Sequence, residues 1–108
     1  MGVKRFLSEH EIDIKCVLTV PAEDAASHGI QGINDGADFL LERRLMDEII
    51  PVATDHAIER MERFAKEHGL LVGISSGANL VAAEEYIRNF DPEGIIITML
   101  CDRGERYL

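Results

Sequence analysis

Tryptophan is absent from the 108 residues, and aromatic side chains make up only 6% of them. Any core must therefore be aliphatic, built from Ile, Leu, Val and Ala. Cysteine is almost as scarce, with Cys16 and Cys101 alone. So few cysteines exclude a disulfide scaffold, and no Cys/His cluster has the spacing of a zinc site. This usage predicts a reducing, cytoplasmic setting. Basic residues are outnumbered, 11 against 20 acids, for a net charge of −9. That balance argues against nucleic acid or an anionic membrane surface as partner, since both need clustered cations. No apolar run approaches the roughly 18 residues of a membrane span. The opening MGVKRFLSEHEIDIK carries no apolar h-region, so no signal peptide is expected.

Hydrophobic residues are nonetheless 46% of the chain. A chain of this length buries roughly 60–68% of its unfolded surface, enough for one domain over residues 1–108. Its pattern alternates between strand-like and helix-like segments. Residues 2–10 place Val3, Phe6 and Leu7 on one helical face. Ile14–Val20 is a β-rich run closed by Pro21. Residues 21–40 are glycine-punctuated and loop-like. Glu48–Val52 reads as a short strand whose Pro51 suits a sheet edge or a strand end. From Thr54, an expected N-cap, apolar residues recur at helical spacing to a stop at Gly69. Glu59 with Arg63 and Glu62 with Lys66 are spaced as i,i+4 pairs. A second helix is expected at about 77–89, burying Leu80, Val81, Ala83 and Ile87. Gly94–Leu100 (GIIITML) has the continuous apolar pattern of a central parallel strand covered on both faces. Strands alternating with helices predict an α/β fold of three layers, with a mostly parallel sheet and flanking helices.

Ligands of such sheets bind outside the carboxyl ends of the strands. Two segments following such runs stand out. Gly73-Ile74-Ser75-Ser76-Gly77 precedes a helix. Its serines can cap that helix, and its N–H groups can meet a polar ligand atom. A simple cap with no ligand explains the same residues. Cys101-Asp102-Arg103-Gly104-Glu105-Arg106 follows the apolar run and reads either as a site edge or as a salt-bridged surface turn. His10, His28, His56 and His68 form no ligand spacing and no triad with Ser or Cys. No metal ligands are expected.

The order I-Q-G-I (30–33), D-E-I-I-P-V (47–52), G-L-L-V-G-I-S-S-G-A (69–78) and D-R-G-E-R-Y-L (102–108) closely resembles the C-terminal part of the cysteine synthase (O-acetylserine sulfhydrylase) and cystathionine β-synthase family. The resemblance covers residues 2–108. It implies part of a pyridoxal-phosphate (PLP) domain of fold type II, from a dimeric enzyme of amino-acid metabolism. The family's reaction is β-replacement: the α-proton leaves, the β-substituent is eliminated and sulfide adds.

By the same resemblance, Ser75 matches the serine that hydrogen-bonds the PLP pyridine nitrogen. Gly73, Cys101 and Asp102 match residues around that ring, and Gly32 and Ile33 match a loop lining the substrate cleft. The Schiff-base lysine and the glycine-rich phosphate loop belong to parts of the family fold that these residues do not match. Lys4, Lys15 and Lys66 stand in no matching context, so no catalytic residue is expected here. Val20 stands where the family has Glu, and Cys101 where it has Pro. The resulting expectation is a C-terminal fragment that is inactive alone and holds PLP weakly. Its partner would be the missing N-terminal half, or another copy in a homo-oligomer. The alternative is a non-catalytic interaction or regulatory module that retains the fold.

Overall fold

The computed structural model describes residues 2–22 and 46–104. Helix α1 spans Gly2–Glu9, strand β1 Val17–Pro21, strand β2 Glu48–Val52, helix α2 Thr54–His68 and helix α3 Ile74–Phe90. β1 and β2 pair in parallel, with Val17 opposite Glu48 and Pro21 opposite Val52. The result is an α/β fold with a parallel sheet and flanking helices, as the alternating pattern predicts. Among the described residues no helix is long and apolar enough to cross a membrane.

The core lies where α3 and α2 meet the inward side of β2. Ile50, Val52, Ala57, Ala78 and Ala82 form it, and half-buried Val17, Ile74, Val81 and Tyr86 pack around it. Small residues dominate because the two helices approach closely. A Cβ on Gly77 would lie 2.1 Å from the Ala57 carbonyl oxygen. Only glycine allows that spacing. Pro51 sits in β2 with its ring exposed, consistent with an edge. α2 ends as expected: Gly69 adopts φ 70° and its N–H donates to the Ala65 carbonyl.

Several local expectations are corrected. The first strand begins at Val17, not Ile14. Ala53 holds the N-cap position of α2 without a side-chain cap, and Thr54 is already helical. α3 begins at Ile74, three residues before the expected start, with Gly73 as its N-cap. Its buried positions are Ser76, Gly77, Ala78 and Ala82, whereas Leu80, Val81 and Ala83 are half-buried and Ile87 is exposed. Tight packing on α2 has selected the small-residue face rather than the large aliphatic one. On α1 only Leu7 of the expected apolar face is buried; Val3 and Phe6 are exposed. Arg63 pairs with Glu67 and Glu84 rather than with Glu59, because α3 brings a carboxylate across the helix interface.

The largest correction concerns Gly94–Leu100. Among the described residues it joins no sheet ladder, and its side chains are exposed. Its apolar pattern is that of a strand covered on both faces, but among the described residues nothing pairs with it.

Candidate functional site

The site is assembled at the N-terminus of α3 from two chain segments. Residues 71–73 lead into the helix, and residues 99–104 return alongside them. Gly73 N–H donates to the Asp102 carbonyl at 2.8 Å, and Gly104 N–H to the Leu71 carbonyl at 2.9 Å. Val72 and Arg103 form an antiparallel bridge between these bonds. A Cβ on Gly104 would fall 2.5 Å from Leu71 Cγ and 2.7 Å from the Val72 carbonyl oxygen. Glycine at 104 therefore lets the two segments touch.

The adjacent serines have separate tasks. Ser76 is fully buried, and its Oγ accepts the Cys101 N–H at 2.7 Å. Neither serine caps the helix, contrary to expectation. Asn79, one turn further along, donates to the Met99 carbonyl at 3.0 Å. These bonds pin the 99–101 turn against the first turns of α3. Ser75 is half-buried, and its hydroxyl makes no hydrogen bond among the described residues. The N–H groups of Ile74, Ser75 and Ser76 are orphans of the first helical turn. Gly77 N–H already donates to the Gly73 carbonyl at 3.1 Å.

Gly73 and Asp102 are thus joined directly, Cys101 is held through Ser76, and Ser75 lies between these two attachments in the first turn of α3. Cys101 is a free, exposed thiol, and Asp102 is half-buried. Gly32 and Ile33 lie outside the described residues, as do Glu105 and Arg106. His10, His56 and His68 are exposed, and His10 stacks on Phe6. Among the described residues no three His, Cys, Asp or Glu side chains group as metal ligands. Sequence reasoning missed Ser76 and Asn79. Their clue was polar side chains on the inward face of a helix, which must find partners when buried.

A second cluster lies at the start of the fold. The Cys16 N–H donates to Asp47 Oδ2 at 2.6 Å, and Lys4 Nζ reaches the same oxygen at 2.9 Å. The Cys16 bond, with Lys4 beside it, holds the Asp47 carboxyl below its ordinary value. The hydrogen bond that Lys4 donates to Asp47 raises the Lys4 ammonium above its own. Lys4 is therefore committed to a structural tie between α1 and the approach to β2. Lys66 lies exposed in the last turn of α2, and Lys15 is exposed just before β1.

Residues 1–102 match the family described as pyridoxal-phosphate dependent enzyme. Cysteine synthase B of Campylobacter jejuni is 48% identical over 88 residues, covering 79% of this chain and 28% of that protein. Cysteine synthase of Staphylococcus aureus is 35% identical over 99% of this chain and 37% of its own length. Among solved structures, O-acetylserine sulfhydrylase isoform 3 of Entamoeba histolytica superposes with a TM-score of 0.86 at 33% identity. That match covers 99% of this chain and 35% of the other. The chain thus spans little more than a third of these relatives at most.

The donor set fits one end of PLP. An unengaged hydroxyl beside the positive end of a helix suits the ring nitrogen in its neutral form. No lysine forms a hydrogen bond or ion pair with this turn among the described residues, and the fit is to the pyridine end alone.

Proposed function

We propose that this chain, which belongs to the pyridoxal-phosphate dependent enzyme family, forms the pyridine-facing wall of a cysteine synthase-type active site. The substrate class is an amino acid with a leaving group on its β-carbon, such as O-acetylserine, and the second reactant is sulfide. The observation that carries this reading is the division of labour at Ser75 and Ser76. One hydroxyl is consumed in fixing the Cys101 turn, and the other is left for a ligand.

When bound, PLP supplies an electron sink for loss of the α-proton and expulsion of the β-substituent. Ser75 Oγ would meet the ring nitrogen. A neutral hydroxyl cannot hold that nitrogen protonated as a carboxylate would. The orphan N–H groups of α3 add positive potential, which further disfavours a charged ring. Gly73 and Asp102, joined through their backbones, keep the ring-edge turn in register. These residues bind and orient, and none of them moves a proton. Covalent attachment and proton transfer would fall to a lysine on a complementary polypeptide. Taken alone, the 108 residues would therefore hold PLP weakly and not catalyse. The two free cysteines support a reducing, cytoplasmic setting.

The test is the visible spectrum of the purified chain with PLP, before and after O-acetylserine. The expected spectra, before and after the amino acid, are those of the same mixtures without protein. A substrate-dependent band shift absent from the protein-free control would overturn the reading, because a lysine of this chain would then be at work. In the second arm, the chain is mixed with the N-terminal portion of the S. aureus enzyme. Cysteine should form from O-acetylserine and sulfide, and Ser75→Ala should reduce that rate. No cysteine from a folded, matched pair would sink the split-site idea.

The exposed Ile95, Ile97 and Met99 favour a second reading, a non-catalytic interaction module. Sedimentation separates the two, since a stable compact monomer counts against the module.

A further inference from the structure

The Asn79 side chain meets the candidate site at two atoms. Its amide nitrogen donates to the Met99 carbonyl at 3.0 Å and lies 3.8 Å from the Cys101 sulfur. Such a nitrogen carries two hydrogens, one for each acceptor. The carbonyl of Met99 accepts only, so it fixes which end of the amide faces the turn. The Cys101 sulfur is in turn 4.0 Å from the Met99 carbonyl oxygen. Amide, carbonyl and thiol thus close a triangle.

The backbone of this turn is held without Asn79. Gly73 N–H donates to the Asp102 carbonyl, and Cys101 N–H to Ser76 Oγ. Neither bond acts on the Cys101 side chain, whose χ1 has three staggered positions. The residue is exposed, so packing does not choose among them. Among the described residues, the Asn79 amide is the side chain that meets this sulfur.

Asn79 also has a fixed relation to Ser75. The two stand at i and i+4 on α3, so they share one helix face a turn apart. The thiol held by Asn79 therefore sits at the face on which Ser75 carries its unengaged hydroxyl.

We propose that Asn79 is a positioning residue of the candidate site: its amide fixes the Cys101 thiol in one rotamer, beside the place where a pyridine ring meets Ser75. A sulfur held in this way presents a soft, polarizable surface to the edge of an aromatic ring. A thiol turning about χ1 would sweep the space that the ring needs. The inference rests on the cofactor reading above for the identity of the ring, and on the contacts alone for the rotamer.

The probe is pyridoxine 5′-phosphate, which has the ring and phosphate of PLP but no aldehyde, and so cannot join to a lysine or a thiol. Three quantities are measured on the purified chain. The Hα–Hβ couplings of Cys101 give its rotamer. Saturation transfer to the ring protons of the probe reports binding. The rate of Cys101 alkylation by iodoacetamide, with and without millimolar probe, reports whether the ring covers the sulfur; Cys16, the other free thiol, is the internal control. Wild-type Cys101 should show couplings of a single rotamer, and the probe should slow its alkylation by about threefold or more. Asn79→Leu keeps the side chain's shape and suits a helix, but has no donor. It should average the couplings and abolish protection, while saturation transfer persists through Ser75. Ser76→Ala should quicken amide exchange at Cys101 yet keep both the couplings and the protection. Averaged couplings in the wild type would overturn the proposal, as would wild-type couplings and protection in Asn79→Leu. An equal loss in Ser76→Ala would also overturn it, because Asn79 would then act only by tightening the turn. Saturation transfer without protection of wild-type Cys101 would sink this inference alone. Absence of saturation transfer would sink the cofactor reading, and the couplings would then decide the role of Asn79 by themselves.

Discussion

The Cys101 backbone N–H donates to the side-chain oxygen of fully buried Ser76 at 2.7 Å, across 25 positions of sequence. This bond couples the first turn of α3 to the segment that closes the candidate site. Ser76→Ala should strand a half-buried N–H and lower stability by about 1–2 kcal/mol. Urea denaturation measures the loss, and amide exchange at Cys101 should accelerate. An unchanged midpoint would mean that water replaces the hydroxyl without cost.

Two glycine-to-alanine changes should fail for different reasons. At Gly77 alanine improves helix propensity by about 1 kcal/mol. Its Cβ would nevertheless strike the Ala57 carbonyl oxygen, which is backbone and cannot rotate away. Separation of α2 from α3 should leave a net loss of about 1–3 kcal/mol. At Gly69 nothing lies within 4 Å, but φ is +70°. The cost there is conformational, about 1–2 kcal/mol. Thermal melting should show both losses. Only Gly77→Ala should also disturb the amide exchange of α3.

The Lys4–Asp47–Cys16 tie predicts a pH dependence. Asp47 has a lowered value in the fold, from an ordinary 3.8. Its contribution is therefore present above that ordinary value and is lost as pH falls through the lower, folded one. Lys4 has a raised value, from an ordinary 10.5. Its contribution is complete below 10.5 and is lost as pH rises beyond it, through the folded value. Asp47→Asn should flatten the acid limb of stability against pH. It should also loosen α1, seen as faster exchange of the α1 amides and of Cys16.

The legible parts of this chain were those decided by short-range chemistry. Gly69 announced its helix stop because the left-handed turn admits few other residues. Glu48–Val52 was readable from its β-branched and apolar content, and α2 from its 3.6-residue period. The start of α3 was misplaced because glycine and serine look like punctuation. Here they sit inside the helix, where contact with Ala57 demands a missing side chain. A serine at a helix start reads as a possible cap, because nothing local reveals a partner 25 residues away. Residues 94–100 were readable as strand material but not as an unpaired one. Pairing is a property of the neighbour, and a strand's own residues do not encode whether that neighbour is present.

The interface between α2 and α3 offers a graded electrostatic test. Glu84 of α3 accepts from Arg60 Nε and from Arg63 Nη2, the latter at 3.5 Å. The Arg60 side chain is only 13% exposed, and its Nη1 is buried without a hydrogen-bond partner, 3.9 Å from Glu67. Arg63 is half exposed and shares itself with Glu67. Glu84→Ala would leave the Arg60 guanidinium partly desolvated, with only the Glu67 carboxylate near it at 3.9 Å. Glu84 is itself 43% exposed, so the full cost of a buried pair does not apply. Double-mutant cycles should give about 1 kcal/mol of coupling for Arg60 with Glu84, and a few tenths for Arg63 with Glu84. Raising salt to about 1 M should erase the second coupling and spare most of the first, since screening acts most on exposed charges. Equal couplings with equal salt sensitivity would mean that burial of Arg60 adds nothing to the pair.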